Sequence, residues 1–104
     1  MKVLRDYRGI AVRFTDERLA HILSHPEMLE MEREIEKTVA QPEHVVKSRS
    51  DAEARLYYRF YPRTRVGEKY LCVVVKVRGT DAFVLTAYLT DTVKKGEALW
   101  NEKS

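Results

Sequence analysis

The stretch KYLCVVVKVRGTDAFVLTAYLT, running from Lys69 to Thr90, decides how this chain folds. Two runs rich in Val, Thr, Tyr and Phe flank the short connection Arg78-Gly79-Thr80-Asp81, the pattern of two antiparallel strands joined by a turn. Leu71 to Val75 is unbroken apolar or Cys, which predicts a strand covered on both faces and so a central place in its sheet. Lys76 interrupts the first run, and Thr86 and Tyr88 interrupt the second.

Working outward, Leu56, Tyr58 and Phe60 alternate with Tyr57, Arg59 and Tyr61, which predicts a further strand. Val45 and Val46 mark a short strand, and residues 62–68 form a basic loop. Near the start, Ile10, Val12 and Phe14 alternate with Ala11 and Arg13 and predict the first strand. Thr15 then serves as a helix N-cap, with Asp16 and Glu17 in the first turn opposing the dipole. Phe14 and Leu19 stand at the positions of a hydrophobic staple, and Leu19, Ile22 and Leu23 share one helix face. Pro26 fits the first position of a second helix running to about Ala40, with Met28, Met31, Ile35 and Val39 on its buried stripe. Gln41-Pro42 ends it, and Leu99 and Trp100 are expected to fold back onto the core. The pattern implies a single α+β domain over residues 1–104, with two N-terminal helices packed on one face of an antiparallel sheet of about four to five strands.

The 104 residues suffice for one core of two layers, and 44% hydrophobic against 34% charged residues suits a folded rather than a disordered chain. No apolar run reaches membrane-spanning length, and the start MKVLRDYRG lacks the apolar segment of a signal peptide, so a cytoplasmic protein without membrane partners is expected. Cys72 alone provides neither a disulfide nor a zinc framework. Net charge is only +3, but five glutamates fall between Glu27 and Lys37, whereas Lys47 to Arg78 is dominated by Lys and Arg. A basic strand half and an acidic helical half fit a polyanion drawn to one side, or simply a solvated face.

Strand alternation places Leu56, Tyr58, Phe60, Val73, Val75, Val77, Phe83, Leu85, Ala87 and Leu89 against the helices. Arg59, Lys76, Thr86 and Tyr88 then converge on the uncovered face, offering cations and hydroxyls for a phosphodiester and a ring for base stacking. Thr and Tyr are also ordinary strand residues, and this face can be no more than a polar surface. His21 and His25, four apart on the first helix, lie opposite its apolar stripe. Such a pair can share a metal, carry protons near neutrality, or cap the helix ahead of Pro26. Only His44 or a stray carboxylate remains as a third ligand, HExxH is absent, and no phosphate-binding glycine loop is present, so no metal and no cofactor are expected.

The blocks His21-Ile-Leu-Ser-His25-Pro26-Glu27, Tyr57-Tyr58-Arg59, Lys69-Tyr70-Leu71 leading to Lys76, Thr86-Ala87-Tyr88, and Lys94-Lys95-Gly96-Glu97 before Leu99-Trp100 together carry a resemblance. The chain resembles a family of small prokaryotic and phage-associated proteins of the barnase–EndoU–colicin–RelE (BECR) class of nuclease folds. The resemblance implies metal-independent endoribonuclease chemistry, in which a ribose 2′-hydroxyl attacks the neighbouring phosphorus and leaves a cyclic phosphate. It implies RNA as partner and, by analogy with toxin pairs, an antitoxin or inhibitor protein. His25, with His21 second, would carry the proton; Arg59 and Lys76 would hold the phosphate, with Thr86 and Tyr88 bonding it or stacking on the base. A non-catalytic RNA-binding or protein-interaction module is the alternative.

Overall fold

The computed structural model describes residues 1–102. Their strands are β1 (Lys2–Arg5), β2 (Ala11–Phe14), β3 (His44–Lys47), β4 (Ala54–Thr64), β5 (Gly67–Arg78), β6 (Asp81–Thr90) and β7 (Glu97–Asn101). Helices α1 (Asp16–Leu23) and α2 (Glu32–Ala40), with a 3-10 turn at Pro26–Met28 between them, lie between β2 and β3 in the chain.

All seven strands form one sheet in the order β1-β2-β6-β5-β4-β3-β7. Every neighbouring pair is antiparallel except β2 and β6, which run parallel through the pairing of Arg13 with Phe83. The sheet is therefore mixed, and the expected antiparallel sheet of four to five strands under two N-terminal helices, the BECR arrangement, is overturned. Two edge strands escape the sequence pattern for physical reasons. In β1 only Leu4 is buried, and β7 is exposed along Glu97 to Trp100, so neither shows the alternation that marks a half-buried strand. The parallel junction arises because the chain leaves β2 through the helices and returns to its side only at β6.

Helix α1 follows its sequence signals, and the Thr15 hydroxyl accepts from the Arg18 amide. The expected second helix is broken instead. Pro26 opens a 3-10 turn, Glu30 takes a left-handed φ of 64°, and the α-helix proper starts at Glu32. Met28, Met31, Ile35 and Val39 are nonetheless all buried, because the break preserves which way they face. They meet Val12, Phe14, Val73, Val75, Val84 and Ala87 in the main core. Each such aliphatic or aromatic side chain removed from water contributes about 1.5–3 kcal/mol.

The opposite face of the sheet is covered too. Val46, Leu56, Tyr58, Cys72 and Val74 form a second apolar cluster, on which Val93 of the 91–96 connection packs. This second layer reverses the expected faces of β4: Tyr57 and Tyr61 turn towards the helices, and Leu56 and Tyr58 away from them. The helix side holds acceptors that need hydroxyl donors. Tyr57 donates to the Asp6 carboxylate at 2.8 Å and Tyr61 to the Glu34 carbonyl at 3.1 Å, which Leu or Phe cannot do. In β6 a bulge opposite Val74 and Val75 puts Val84 and Ala87 into the main core and Leu85 into the second cluster. The expected basic loop at 62–68 shrinks to a turn, since β4 continues to Thr64 and β5 starts at Gly67.

Candidate nucleic-acid interface

The six residues singled out in the sequence do not meet. His21 and His25 are exposed on the helix layer, their rings edge to face at 5.8 Å. The elements that carry them pack on β6, two strands away from β4 and its Arg59, which is about 10 Å at ordinary strand spacing. Arg59 pairs with Leu71 and so shares the helix side of the sheet. Lys76, Thr86 and Tyr88 stand on the other face, opposite Phe83, Val74 and Cys72 respectively. The expected convergence of Arg59 with those three fails because β4 presents the reverse face.

The charge of Lys76 is also spoken for. The 48–53 connection folds over β5, and Asp51 and Glu53 pair with the Lys76 ammonium, Glu53 at 3.8 Å. Tyr88 packs against Tyr58 and Cys72, and burial raises the pKa of all three, Tyr58 to about 12.

A different constellation does assemble. Arg55, Tyr57 and Arg59 alternate along β4 on the helix side. Beside them, Lys47 pairs with Arg55, and Val45 pairs with both Tyr57 and Trp100 of β7. The helices pack chiefly on β5, β6 and β1, leaving the β3–β7 end of this face to smaller cover. That cover is the β1–β2 loop. Tyr7 stacks on Trp100 at 5.1 Å between centroids and meets Tyr57 edge-on at 6.1 Å, and the Arg8 guanidinium lies 5.5 Å over the Tyr7 ring.

The loop is held from beneath by Asp6, whose side chain is fully buried. Its carboxylate accepts from the Arg8 and Ile10 amides at 2.8 and 2.9 Å and from the Tyr57 hydroxyl, with the Arg8 guanidinium at 3.5 Å. Gly9, at φ 83°, supplies the left-handed residue that this tight turn requires. Burial, and then the bond to Asp6, pushes the Tyr57 pKa well up, so it remains a neutral donor. Trp100 is fixed by its indole N–H, which donates to the Pro42 carbonyl at 3.3 Å, yet it stays 40% exposed. Gly96 brings β7 against β3 so closely that a Cβ there would meet the Lys47 carbonyl and stand 2.6 Å from Val46 Cγ1.

The cations of this strip differ in kind from Lys76. Arg55 donates to the Ala52 carbonyl at 2.8 Å and Arg59 to the Gln41 carbonyl at 2.7 Å. A carbonyl orients a guanidinium without cancelling its charge. By contrast, Arg13 is clamped by both oxygens of Asp81, and Lys69 pairs with Asp91. Lys47 reaches its carboxylate, Glu97, only at 4.0 Å. A cavity of about 320 Å³ opens between Tyr7, Arg59 and Trp100, with Glu102 also on its wall but not ion-paired to Arg59. Stacked rings beside a guanidinium held by a carbonyl, as Arg59 is, can hold a base against a ring face and a phosphate against a cation.

The Arg55-x-Tyr57-x-Arg59 alternation was present in the sequence and marks one strand face; Tyr7, Arg8 and Trp100 carry no local signal, because only the folded sheet brings both ends of the chain together. Among the described residues no group of three His, Cys, Asp or Glu side chains is placed to hold a metal ion, and no helix is long and apolar enough to cross a membrane. No protein-family model, no curated protein and no solved structure matches this chain.

Proposed function

We propose that this chain binds single-stranded RNA along the strip formed by Arg8, Lys47, Arg55 and Arg59 around the Tyr7–Trp100 stack. The observation that carries the reading is the half-exposed Trp100 stacked on Tyr7 beside Arg59, whose guanidinium is held by the Gln41 carbonyl and not by a carboxylate. Arg8 does approach Asp6, but its side chain remains 56% exposed and reaches solvent. Base–aromatic stacking contributes about 1–3 kcal/mol per base and tolerates any sequence. The geometry favours holding RNA over cutting it. Transesterification needs a proton carrier within hydrogen-bond reach, or one water, of the reacting oxygens. His21 and His25 are set over β6, away from the strip on β3, β4 and β7.

The test is fluorescence anisotropy of a labelled, unstructured RNA with purified protein in chelator. Trp100→Ala and Arg59→Ala should each weaken binding about 5- to 100-fold, whereas Lys76→Ala on the opposite face should leave it unchanged, with circular dichroism confirming that each variant is folded. Binding that is insensitive to salt, or equally strong in Trp100→Ala, would overturn the proposal. Cleavage to cyclic-phosphate ends that is abolished in His25→Ala would establish the nuclease reading in its place.

A further inference from the structure

A second cavity of about 320 Å³ lies between the β1–β2 loop and the turn that joins β5 to β6. Ile10, Val12, Val75, Val77 and Ala82 give it apolar walls, and Gly79 and Thr80 form its lip. Arg8, a member of the cationic strip, and the core residue Tyr57 also line it. Its volume falls at the lower end of the range for small-ligand sites.

The polar groups restrict what can enter. Asp6 already receives two amides, the Tyr57 hydroxyl and the Arg8 guanidinium, so its negative charge is answered where it sits. Asp81, which also lines the cavity, is clamped by Arg13, so with Arg8 paired to Asp6 neither carboxylate is left unanswered, which disfavours an ionic guest. Donors and acceptors remain at one edge. Arg8 has N–H groups beyond the one facing Asp6, the Tyr57 oxygen can accept while its proton is given to Asp6, and the Thr80 hydroxyl can do either. A neutral, flat group with apolar faces and a polar rim matches such a slot, whereas an aliphatic chain would leave the polar edge unmatched.

We infer that this cavity is a base slot: one unstacked nucleobase of a bound strand enters it while the adjoining phosphates rest on Arg8 and the β4 arginines. The inference rests on the RNA-binding reading of the strip and adds base selectivity to a surface that otherwise selects by charge. Gly79 leaves the lip open, since a Cβ there would meet nothing within 4 Å.

The experiment titrates methyl-labelled protein with each of the four ribonucleoside monophosphates, and measures affinities for oligo(A), oligo(C) and oligo(U). Two variants block the slot: Thr80→Trp at the exposed lip, which does not touch the core, and Val77→Phe inside it. Mononucleotides should shift the Val75, Val77 and Ala82 methyl signals, and the wild type should separate the homopolymers by about fivefold or more. Thr80→Trp should collapse that separation to within about twofold while keeping the affinity for the weakest homopolymer. If RNA binds but no methyl shifts and Thr80→Trp changes nothing, the slot is refuted and the strip stands. If mononucleotides shift the methyls but no strand binds, the strip is refuted, and so is the slot as a feature of strand recognition. If neither strand nor mononucleotide binds, both fall.

Discussion

Tyr57 joins three roles in one side chain: its ring packs in the main core, its hydroxyl secures the buried Asp6, and its edge supports the Tyr7 ring above. Tyr57→Phe keeps the ring and leaves a buried carboxylate oxygen short of a donor, so it should cost about 1–3 kcal/mol, read as a lower urea midpoint at unchanged slope. An unchanged midpoint would mean that the Tyr57–Asp6 hydrogen bond contributes nothing. Alkaline stability follows from the same kind of group. Tyr57, Tyr58 and Tyr88 all ionise less readily folded than unfolded, chiefly because burial disfavours the phenolate. A raised folded value means that the stabilisation is whole below the free tyrosine value near pH 10 and is lost as pH climbs through the folded values, for Tyr58 about 12. Unfolding followed by circular dichroism should therefore coincide with a cooperative rise in tyrosinate absorbance in that window, and Tyr58→Phe should shift the transition upward. Sequence alone could not orient these tyrosines. In Leu56-Tyr57-Tyr58-Arg59-Phe60-Tyr61 both alternating sets have apolar bodies, and the buried acceptors that decide between them come from distant Asp6 and Glu34.

At the scale of elements, the most exacting contact is the approach of β7 to β3 at Gly96. Gly96→Ala forces the added methyl towards the Lys47 carbonyl and the Val46 side chain, and overpacking of this kind costs about 1–3 kcal/mol. The loss should be local. Amide exchange should accelerate over 97–101 and 44–47 while the centre of β5 keeps its protection, whereas uniform acceleration would show that β7 is not a separable unit. The elements readable from sequence were those with a strong local signature: α1 through its Thr15 cap, and the β5–β6 pair through its two β-branched runs and Gly79 turn. The short edge strands were not readable, because their partners and not their own composition make them strands. The second helix was misjudged at Leu29–Glu30, where an uninterrupted apolar spacing hides a left-handed residue.

For the whole molecule, the cationic strip should declare itself through salt. If Arg8, Lys47, Arg55 and Arg59 each neutralise one phosphate of a single strand, the logarithm of affinity should fall with that of salt with a slope of about −3, and Arg59→Ala should flatten it by about 0.7. A slope near zero would exclude a phosphate-led interface. The site was half legible in the sequence: the excess of basic residues in the strand half was visible, but which of them are cancelled depends on the carboxylates the fold brings to them, Asp51 and Glu53 to Lys76 and Asp91 to Lys69. The Tyr7–Trp100 stack has one more consequence, which concerns time rather than affinity. It joins a loop beside one edge strand to the opposite edge strand, across nearly the whole length of the chain. Contacts of such separation pay the largest loop-closure entropy and slow the reaching of the native state. In refolding, the fluorescence of Trp100, the chain's one tryptophan, should therefore report the last closure of the molecule, lagging behind the backbone signal of the central strands.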